Sequence, residues 1–315
     1  MAPDDRIIAT DMQLSAPALQ AADVKVRVPA VYAPDYIDIT LKVCKDYAVD
    51  AVFSLNDLEL PILAENKSRF EELGVKVVVS DPSVIDICFD KFKTMRWAES
   101  IGLKVPVTFS SLFSVKEALA AGKICFPLFM KPRWGSGSIG LETVDDMEEM
   151  EMVYRLLQKK IKKSILATAS TGDEFILFQE KLTGEEYGLD VMNDLDGNNV
   201  GVSVKRKLAM RSGETDKAVT VDSAEIRKIG ETIGKNLGHI GNLDVDIMRR
   251  SNGDYCVLEL NPRFGGGFPF SYESGVNYPG VLLQWLKGIP ADLSALVPEY
   301  GKAYAKNDYL VEVSL

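Results

Sequence analysis

The sequence predicts an α/β fold in its first part and an α+β arrangement in the remainder. Over residues 1–89 short apolar strands alternate with helical patterns, which is the rhythm of a parallel sheet. Residues 174–221 instead show the alternation of antiparallel strands. A hairpin is predicted between Asp246 and Arg263, around a Ser-Asn-Gly-Asp turn. With 315 residues and 46% hydrophobic residues, the chain is long enough for two domains.

The N-terminal region is predicted to contain four strands joined by two helices. The helices span residues 36–47 and 58–73, and the second ends at Gly74, where glycine is favoured. A parallel sheet of this kind normally opens with a buried strand and a glycine-containing turn, and this sequence starts after them. Either an opening segment is missing or another segment takes its place. The predicted strands are residues 6–10, 24–28, 51–55 and 75–79.

Three helices and one strand are predicted in the middle of the chain. The first helix runs from Asp90 to Ile101, and a serine-capped helix covers residues 114–121. An apolar strand follows at residues 126–130. The helix over residues 145–163 has apolar residues near helical spacing, and its acidic start matches a capping box of Asp145 with Glu148. A last helix is predicted at residues 279–286.

Composition excludes several classes of function. A net charge of -10 argues against nucleic acid or an anionic membrane as the main partner, because both require basic patches. The four cysteines form no CxxC pair, which fits reduced thiols in the cytoplasm. His239 is the only histidine, so we interpret it as a helix-end residue and exclude a Ser-His-Asp triad. The sequence has no signal peptide pattern and no apolar run of membrane-spanning length.

The predicted hairpin concentrates oxygen ligands on one surface. It brings Asp246 beside Glu259 and Asn261, and the last two share one face of a strand because they lie two residues apart. Carboxylates held together repel each other unless a cation lies between them. Oxygen ligands of this kind suit Mg²⁺, which usually accompanies nucleotide phosphates. A solvent-facing acidic hairpin is the alternative interpretation.

Two further segments have the composition of a nucleotide site. Lys131 ends a strand and precedes a glycine-serine loop, and such loops let backbone N–H groups approach phosphate oxygens. The loop lacks the ending of a Walker motif, and it is also compatible with an ordinary hairpin. The segment from Phe178 to Asp190 joins two strands through an acidic connector, which can contact an adenine edge and ribose hydroxyls. Taken by itself, this segment is better interpreted as a linker between lobes with solvated glutamates.

Taken in order, the lysine, the glycine loop, the acidic connector and the acidic hairpin resemble the ATP-grasp superfamily. The resemblance covers about residues 84–290 and is nearest to split proteins related to the large subunit of carbamoyl phosphate synthetase. Its motifs are Phe89-Asp90-Lys91, residues 210–217 and residues 261–267. It implies a Rossmann-like pre-ATP-grasp domain at 1–89 and a two-lobed ATP-grasp domain at 90–315. The lid lobe would cover about 108–180 and the metal-binding lobe about 181–315.

The resemblance also implies roles for individual residues. Two lysines would hold the α- and β-phosphates, and the glycine-serine loop would close over the triphosphate. The connector would contact adenine and ribose, the hairpin would bind two Mg²⁺ ions or Mn²⁺, and three cations would lie near the γ-phosphate and the acid substrate. In that order, the residues are Lys91 and Lys131; Gly135, Ser136, Gly137 and Ser138; Glu180, Lys181, Leu182 and Glu186; Asp246, Glu259 and Asn261; Arg211, Lys217 and Arg263.

The function expected from this resemblance is ATP-dependent joining of a small carboxylic acid to an amine. The product would be an amide, formed through an acyl phosphate with release of ADP and phosphate. One alternative is carboxyphosphate or carbamate chemistry of the carbamoyl phosphate synthetase type. Another is an ATP-binding regulatory protein without turnover. The resemblance allows a homodimer.

Overall fold

A computed structural model describes residues 5–135, 140–164 and 174–313 of the chain. Its N-terminal region has two separate parallel pairs of strands, β1 (Ile8–Asp11) with β2 (Val24–Arg27) and β3 (Ala51–Phe53) with β4 (Lys76–Val78). Helix α1 (Tyr36–Asp46) follows the first pair. These elements confirm the predicted parallel α/β arrangement. A 3-10 helix spans Pro17–Ala21.

The single helix predicted over residues 58–73 is wrong, because the structure divides it into α2 (Leu60–Glu65) and α3 (Lys67–Glu71). Asn66 lies between them with φ −109° and ψ 9°, outside helical geometry. Its side chain donates to the Ile62 carbonyl at 2.8 Å, so it competes with the backbone for a helical acceptor.

Two consecutive helices place Lys91. Helix α4 (Pro82–Phe89) ends and α5 (Lys91–Ser100) begins at Asp90. The Asp90 carboxylate caps α5 by accepting from the amides of Phe92 (3.0 Å) and Lys93 (3.3 Å). Two guanidinium nitrogens of Arg133 also bind this carboxylate, each at 2.8 Å. The start of α5 is therefore tied to the strand segment that carries Lys131.

A four-stranded antiparallel sheet with two helices forms what we call the small lobe. The strand order is β5-β8-β6-β7. Its core contains Leu128, Met130, Val144, Met150 and Phe178, which are fully buried. The elements are β5 (Thr108–Phe109), α6 (Leu112–Ala120), β6 (Leu128–Pro132), β7 (Glu142–Val144), α7 (Met147–Lys162) and β8 (Ile176–Glu180).

Both helix starts in the small lobe differ from the prediction. Helix α6 begins earlier than predicted, because Ser111 rather than Ser114 is the cap and accepts from the Ser114 amide at 3.1 Å. At α7 the predicted capping pair is wrong by one residue. The Asp146 side chain accepts from the amide of Glu149, and Glu149 accepts from the amide of Asp145.

A six-stranded antiparallel sheet forms what we call the large lobe. Its strand order is β13-β12-β9-β10-β11-β14. Helix α8 (Ala224–Leu237) packs on one face through Ile226, Ile233 and Leu237. The remaining elements are β9 (Glu186–Asn193), β10 (Asn199–Arg211), β11 (Glu214–Thr220), β12 (Gly241–Arg249), β13 (Tyr255–Asn261), α9 (Phe268–Glu273), α10 (Tyr278–Leu286), a 3-10 helix (Leu293–Leu296) and β14 (Ala303–Ala305).

His239 lies just beyond α8 and is completely buried. Its Nε2 atom is 3.0 Å from the Val191 carbonyl, and burial lowers the pKa of the imidazole to about 4. The ring is therefore neutral at physiological pH, and it does not line the cavity described below. Within residues 5–135, 140–164 and 174–313, no helix is both long and apolar enough to cross a membrane.

Candidate active site

A cavity of about 920 Å³ is lined by the small lobe, the large lobe and the loop that follows β3. The two sheets provide most of the charged groups, and the N-terminal loop adds Leu55, Asn56 and Asp57. Three parts of the chain that are distant in sequence therefore meet around one space. Its size is in the range of small-molecule sites.

The hairpin of β12 and β13 places its acidic side chains in this cavity. Asp246 is directly opposite Glu259, and Asp244 is directly opposite Asn261. All four residues line the cavity, so the predicted ligands are together and Asp244 joins them. Like charges directly opposite each other destabilise a sheet unless a cation compensates them. The two opposed carboxylates of this hairpin therefore require positive charge beside them.

Two lysines supply that compensation. Lys91 Nζ lies 3.0 Å from Glu259 Oε1, and Lys207 Nζ lies 2.6 Å from Asp246 Oδ1. Within the described residues no group of three or more His, Cys, Asp or Glu side chains is arranged to hold a metal ion. The donor set nevertheless fits Mg²⁺, because two carboxylates and the Asn261 amide offer oxygen ligands. The ammonium groups occupy positions beside those oxygens.

Lys131 lies at the small-lobe side of the same cavity. Its Nζ donates to Gln179 Oε1 at 2.8 Å. Burial, together with the nearby Lys91 charge, lowers the pKa of Lys131 to about 8. Burial alone would raise the pKa of Glu259, but Lys91 and Lys131 outweigh it and hold that pKa below its usual range. The site is thus built around strongly interacting opposite charges.

The loop after Lys131 is only partly described. Gly135 lines the cavity, and its carbonyl accepts a hydrogen bond from the Lys91 ammonium. The other predicted phosphate-loop residues, Ser136, Gly137 and Ser138, lie outside the described residues.

The connector between β8 and β9 borders the cavity with Glu180, Leu182 and Glu186. Glu180 pairs with Arg250 at 2.6 Å, and its amide donates to the Val107 carbonyl at 2.8 Å. Glu186 pairs with Lys207 at 2.7 Å. Lys181 does not line the cavity with its side chain, which stacks over the Phe129 ring at 5.5 Å. The apolar side chains beside this connector are Phe129, Leu182, Met248 and Leu258.

The three predicted catalytic cations are not together. Arg263 lines the cavity and pairs with Asp57 at 2.8 Å and Asp244 at 3.5 Å. Arg211 and Lys217 are exposed and do not line it. Arg211 instead pairs with Asp308 at 2.5 Å and Asp216 at 3.0 Å. The arrangement places Arg263 alone of the three at the site.

Lys205 and Lys207 are the main site residues that sequence reasoning missed. Both lie on β10, two residues apart, and therefore on the same face. Lys205 pairs in register with Gly188 of β9, and a methyl group built there would lie 3.4 Å from the Cε atom of each lysine. Two lysines at alternate positions of a predicted strand were the available signal in the sequence.

Comparisons with known proteins place this geometry in context. Residues 2–78 match the family described as "PylC-like, N-terminal domain", and residues 173–305 match "ATP-grasp in the biosynthetic pathway with Ter operon". The carbamoyl phosphate synthase large chain of Methanosphaerula palustris is 27% identical over 272 residues, covering 83% of this chain and 23% of that protein. The chain spans less than a quarter of the length of the curated relatives it matches first.

Two solved structures share the fold. Biotin carboxylase of Campylobacter jejuni, crystallised with β,γ-ATP, has a TM-score of 0.72 and 17% identity, over 92% of this chain and 67% of that one. The biotin carboxylase domain of the 2-oxoglutarate carboxylase of Hydrogenobacter thermophilus, solved with MgADP and bicarbonate, has a TM-score of 0.72 and 16% identity. The matched region covers 94% of this chain and 67% of the carboxylase domain.

Proposed function

We propose that this chain is an ATP-dependent carboxylate–amine ligase. It belongs to the ATP-grasp superfamily and resembles carbamoyl phosphate synthase large chains. The observation that supports this best is the meeting of Lys91, Lys131, Asp246, Glu259 and Asn261 around one cavity. Two ammonium groups face two carboxylates there, which suits a nucleoside triphosphate with a divalent cation.

The nucleotide would lie along the boundary between the lobes. Its adenine would enter the apolar slot formed by Phe129, Leu182, Met248 and Leu258, with its edge at the connector backbone. Glu186 would accept the ribose hydroxyls. Lys91 and Lys131 would hold the phosphates as point charges. Asp246, Glu259 and Asn261 would hold Mg²⁺, which neutralises phosphate charge during transfer.

The chemistry begins when a carboxylate oxygen of the acid attacks the γ-phosphorus of ATP. The bond from that phosphorus to the ADP oxygen breaks, giving ADP and an acyl phosphate. The amine nitrogen then attacks the acyl carbon, phosphate leaves, and the nitrogen loses a proton to solvent. Phosphorylation is required because an oxide leaving group is too poor for direct displacement by an amine. Arg263 would contact the acid or the acyl phosphate.

Glu259→Gln tests the proposal. The change removes a predicted metal-ligand charge but keeps the size of the side chain, so acid-dependent ADP release should fall at least about 100-fold. Glu99→Gln, which removes the charge of an exposed carboxylate paired with Arg96, is the matched control and should keep full turnover. Circular dichroism and thermal unfolding would establish that both variants fold. Near-normal turnover by the Glu259 variant would remove this residue from the metal site.

Carboxyphosphate chemistry is a second candidate, favoured by the similarity to carbamoyl phosphate synthase over 83% of the chain. ADP release supported by bicarbonate alone, without any organic acid, would identify it. A regulatory ATP-binding protein would instead bind the nucleotide and release no ADP with bicarbonate or with any acid and amine pair.

A further inference from the structure

The inner end of the cavity contains a buried cation that the nucleotide does not need. Lys205 lies on the same strand face as Lys207, two residues or about 7 Å farther along β10. It is fully buried yet lines the cavity. Lys207 pairs with the predicted ribose and metal ligands, whereas Lys205 pairs with Asp190.

A buried network fixes the position of this ammonium group. Lys205 Nζ is 2.5 Å from Asp190 Oδ2 and 3.3 Å from Ser271 Oγ. Asp190 is also fully buried, and it accepts from Ser271 (2.5 Å) and Asn242 (3.2 Å). An ammonium group has three donors, and these contacts account for two of them. Lys205 is therefore a preorganised cation with capacity for a further acceptor.

Three consecutive glycines bring charges of both signs to this end. A methyl group built on Gly265 would lie 2.2 Å from the Asp244 carboxylate, and one on Gly266 would lie 3.0 Å from Glu214 Oε2. On Gly267 it would lie 2.8 Å from Lys205 Cε. Consecutive Cα atoms are about 3.8 Å apart, so a single short loop packs beside the Lys205 side chain and two carboxylates. Only glycine fits here without displacing these side chains, because any larger residue would collide with them.

We infer that the acid substrate of the proposed ligase is an amino acid bound as a zwitterion. Lys205 receives its carboxylate, and Glu214 receives its ammonium group. Glu214 is available because its partner is Lys306, at 2.9 Å in an exposed pair, and such pairs contribute little. A zwitterion can use the remaining donor of Lys205 and the weakly paired Glu214 together, whereas a simple anion or a simple cation would use only one of them. The inference rests on the proposed function.

The test compares each of the twenty common L-amino acids with the acid of the same carbon skeleton that lacks the α-amino group. ADP release would be measured with the full chain, Mg²⁺, ATP and a shared amine mixture. At least one amino acid should outperform its matched acid by about tenfold, the effect of one hydrogen bond between charged groups. Glu214→Gln should raise the KM for that amino acid by about tenfold and leave the KM for the matched acid unchanged. Glu273→Gln, an exposed carboxylate change on α9, is the control.

A second variant separates binding from folding at Lys205. Lys205→Met alone leaves the buried Asp190 without a counter-charge, whereas Lys205→Met combined with Asp190→Asn removes both charges. The double variant should regain the thermal stability lost in the single variant, while ADP release with the amino acid stays at least about 100-fold below the parent. Recovery of activity in the double variant would show that Lys205 only balances Asp190, and would overturn the inference.

The outcomes distinguish a failure of the zwitterion inference from a failure of the proposed ligase function. ADP release with the unsubstituted acids at the same rate as with amino acids, or an unchanged KM in Glu214→Gln, would overturn the zwitterion and leave the ligase standing. ADP release with neither class of acid would overturn the ligase and the inference together.

Discussion

The surroundings of Lys131 disfavour the charged ammonium form of its side chain. The side chain is buried beside Lys91, and its pKa falls from 10.5 to about 8. Between pH 8 and 10.5 the folded protein loses this proton while the unfolded chain keeps it. Because the unfolded state then binds more protons, stability without nucleotide rises with pH in this window. Phosphate binding has the opposite requirement, since it needs the ammonium form.

We therefore expect the affinity for a non-hydrolysable ATP analogue with Mg²⁺ to fall as the pH rises above about 8. Calorimetry in buffers of different ionisation enthalpy should detect proton uptake on binding above that pH. Lys131→Arg should bind with an affinity that is flat from pH 7 to 9.5, because a guanidinium stays protonated. A parent affinity that does not change over this range would contradict the assignment of Lys131 to a phosphate.

Individual site residues were predictable where they belong to a local pattern. Lys91, Lys131, Asp246, Glu259 and Asn261 each follow from a motif or from strand alternation, and all line the cavity. Arg211 also lies in one of these motifs, yet it pairs with Asp308, almost a hundred residues away. Contacts over that separation depend on packing that local sequence does not encode.

The connector between β8 and β9 passes very close to the last residue of β12 in the β12–β13 hairpin. The Arg249 amide donates to the Glu185 carbonyl at 2.9 Å. A methyl group built on Gly184 would lie 1.8 Å from the Arg249 carbonyl oxygen, so any side chain there must displace backbone. The connector, which borders the proposed adenine site, is thus held in place by a glycine and by the Glu180–Arg250 pair.

Gly184→Ala should weaken the affinity for the ATP analogue by at least about tenfold, because a clash of this kind shifts backbone at a cost of about 1–3 kcal/mol. Fluorescence titration with a labelled nucleotide would measure it. Gly122→Ala is the matched control, since its site is open and only the positive φ opposes a side chain there. Equal nucleotide affinity in the two variants would show that the connector position does not matter for binding.

For helices and strands, sequence periodicity predicts the type of an element better than the residues at which it begins and ends. The β12–β13 hairpin, the antiparallel strands and α7 follow from patterns that extend over many residues. The division at Asn66 and the use of Ser111 and Asp146 as caps depend on single side-chain hydrogen bonds. Several serines and aspartates near each helix start could cap equally well, so the sequence does not select one.

Across the whole molecule, the Asp57–Arg263 pair joins the N-terminal region to the large lobe. The atoms are 2.8 Å apart, and each side chain is only 12% exposed. Arg263 also lines the cavity, so this contact links the placement of the N-terminal loop to the site. Residues 206 positions apart are involved, and no local pattern pointed to Asp57.

Asp57→Asn should lower the free energy of unfolding by about 3 kcal/mol, because it leaves the buried Arg263 with only the more distant Asp244 as an ion-pair partner. Urea denaturation would measure the change. Asp81→Asn removes a carboxylate from an exposed pair with Lys67 and should cost about 1 kcal/mol or less. If the two variants lost equal stability, the Asp57–Arg263 contact would not join the two parts of the molecule.

The pairing of Lys91 with Glu259 and of Lys207 with Asp246 has a consequence for the order of events at the site. A lone divalent ion would have to compete with ammonium groups for the same oxygens, and a lone triphosphate would meet carboxylates whose charge is only partly cancelled. Together, phosphate oxygens attract the lysines while the freed carboxylates take the ion. Under the proposed function, each ligand should therefore strengthen the binding of the other, and the protein should capture the preformed magnesium–nucleotide chelate.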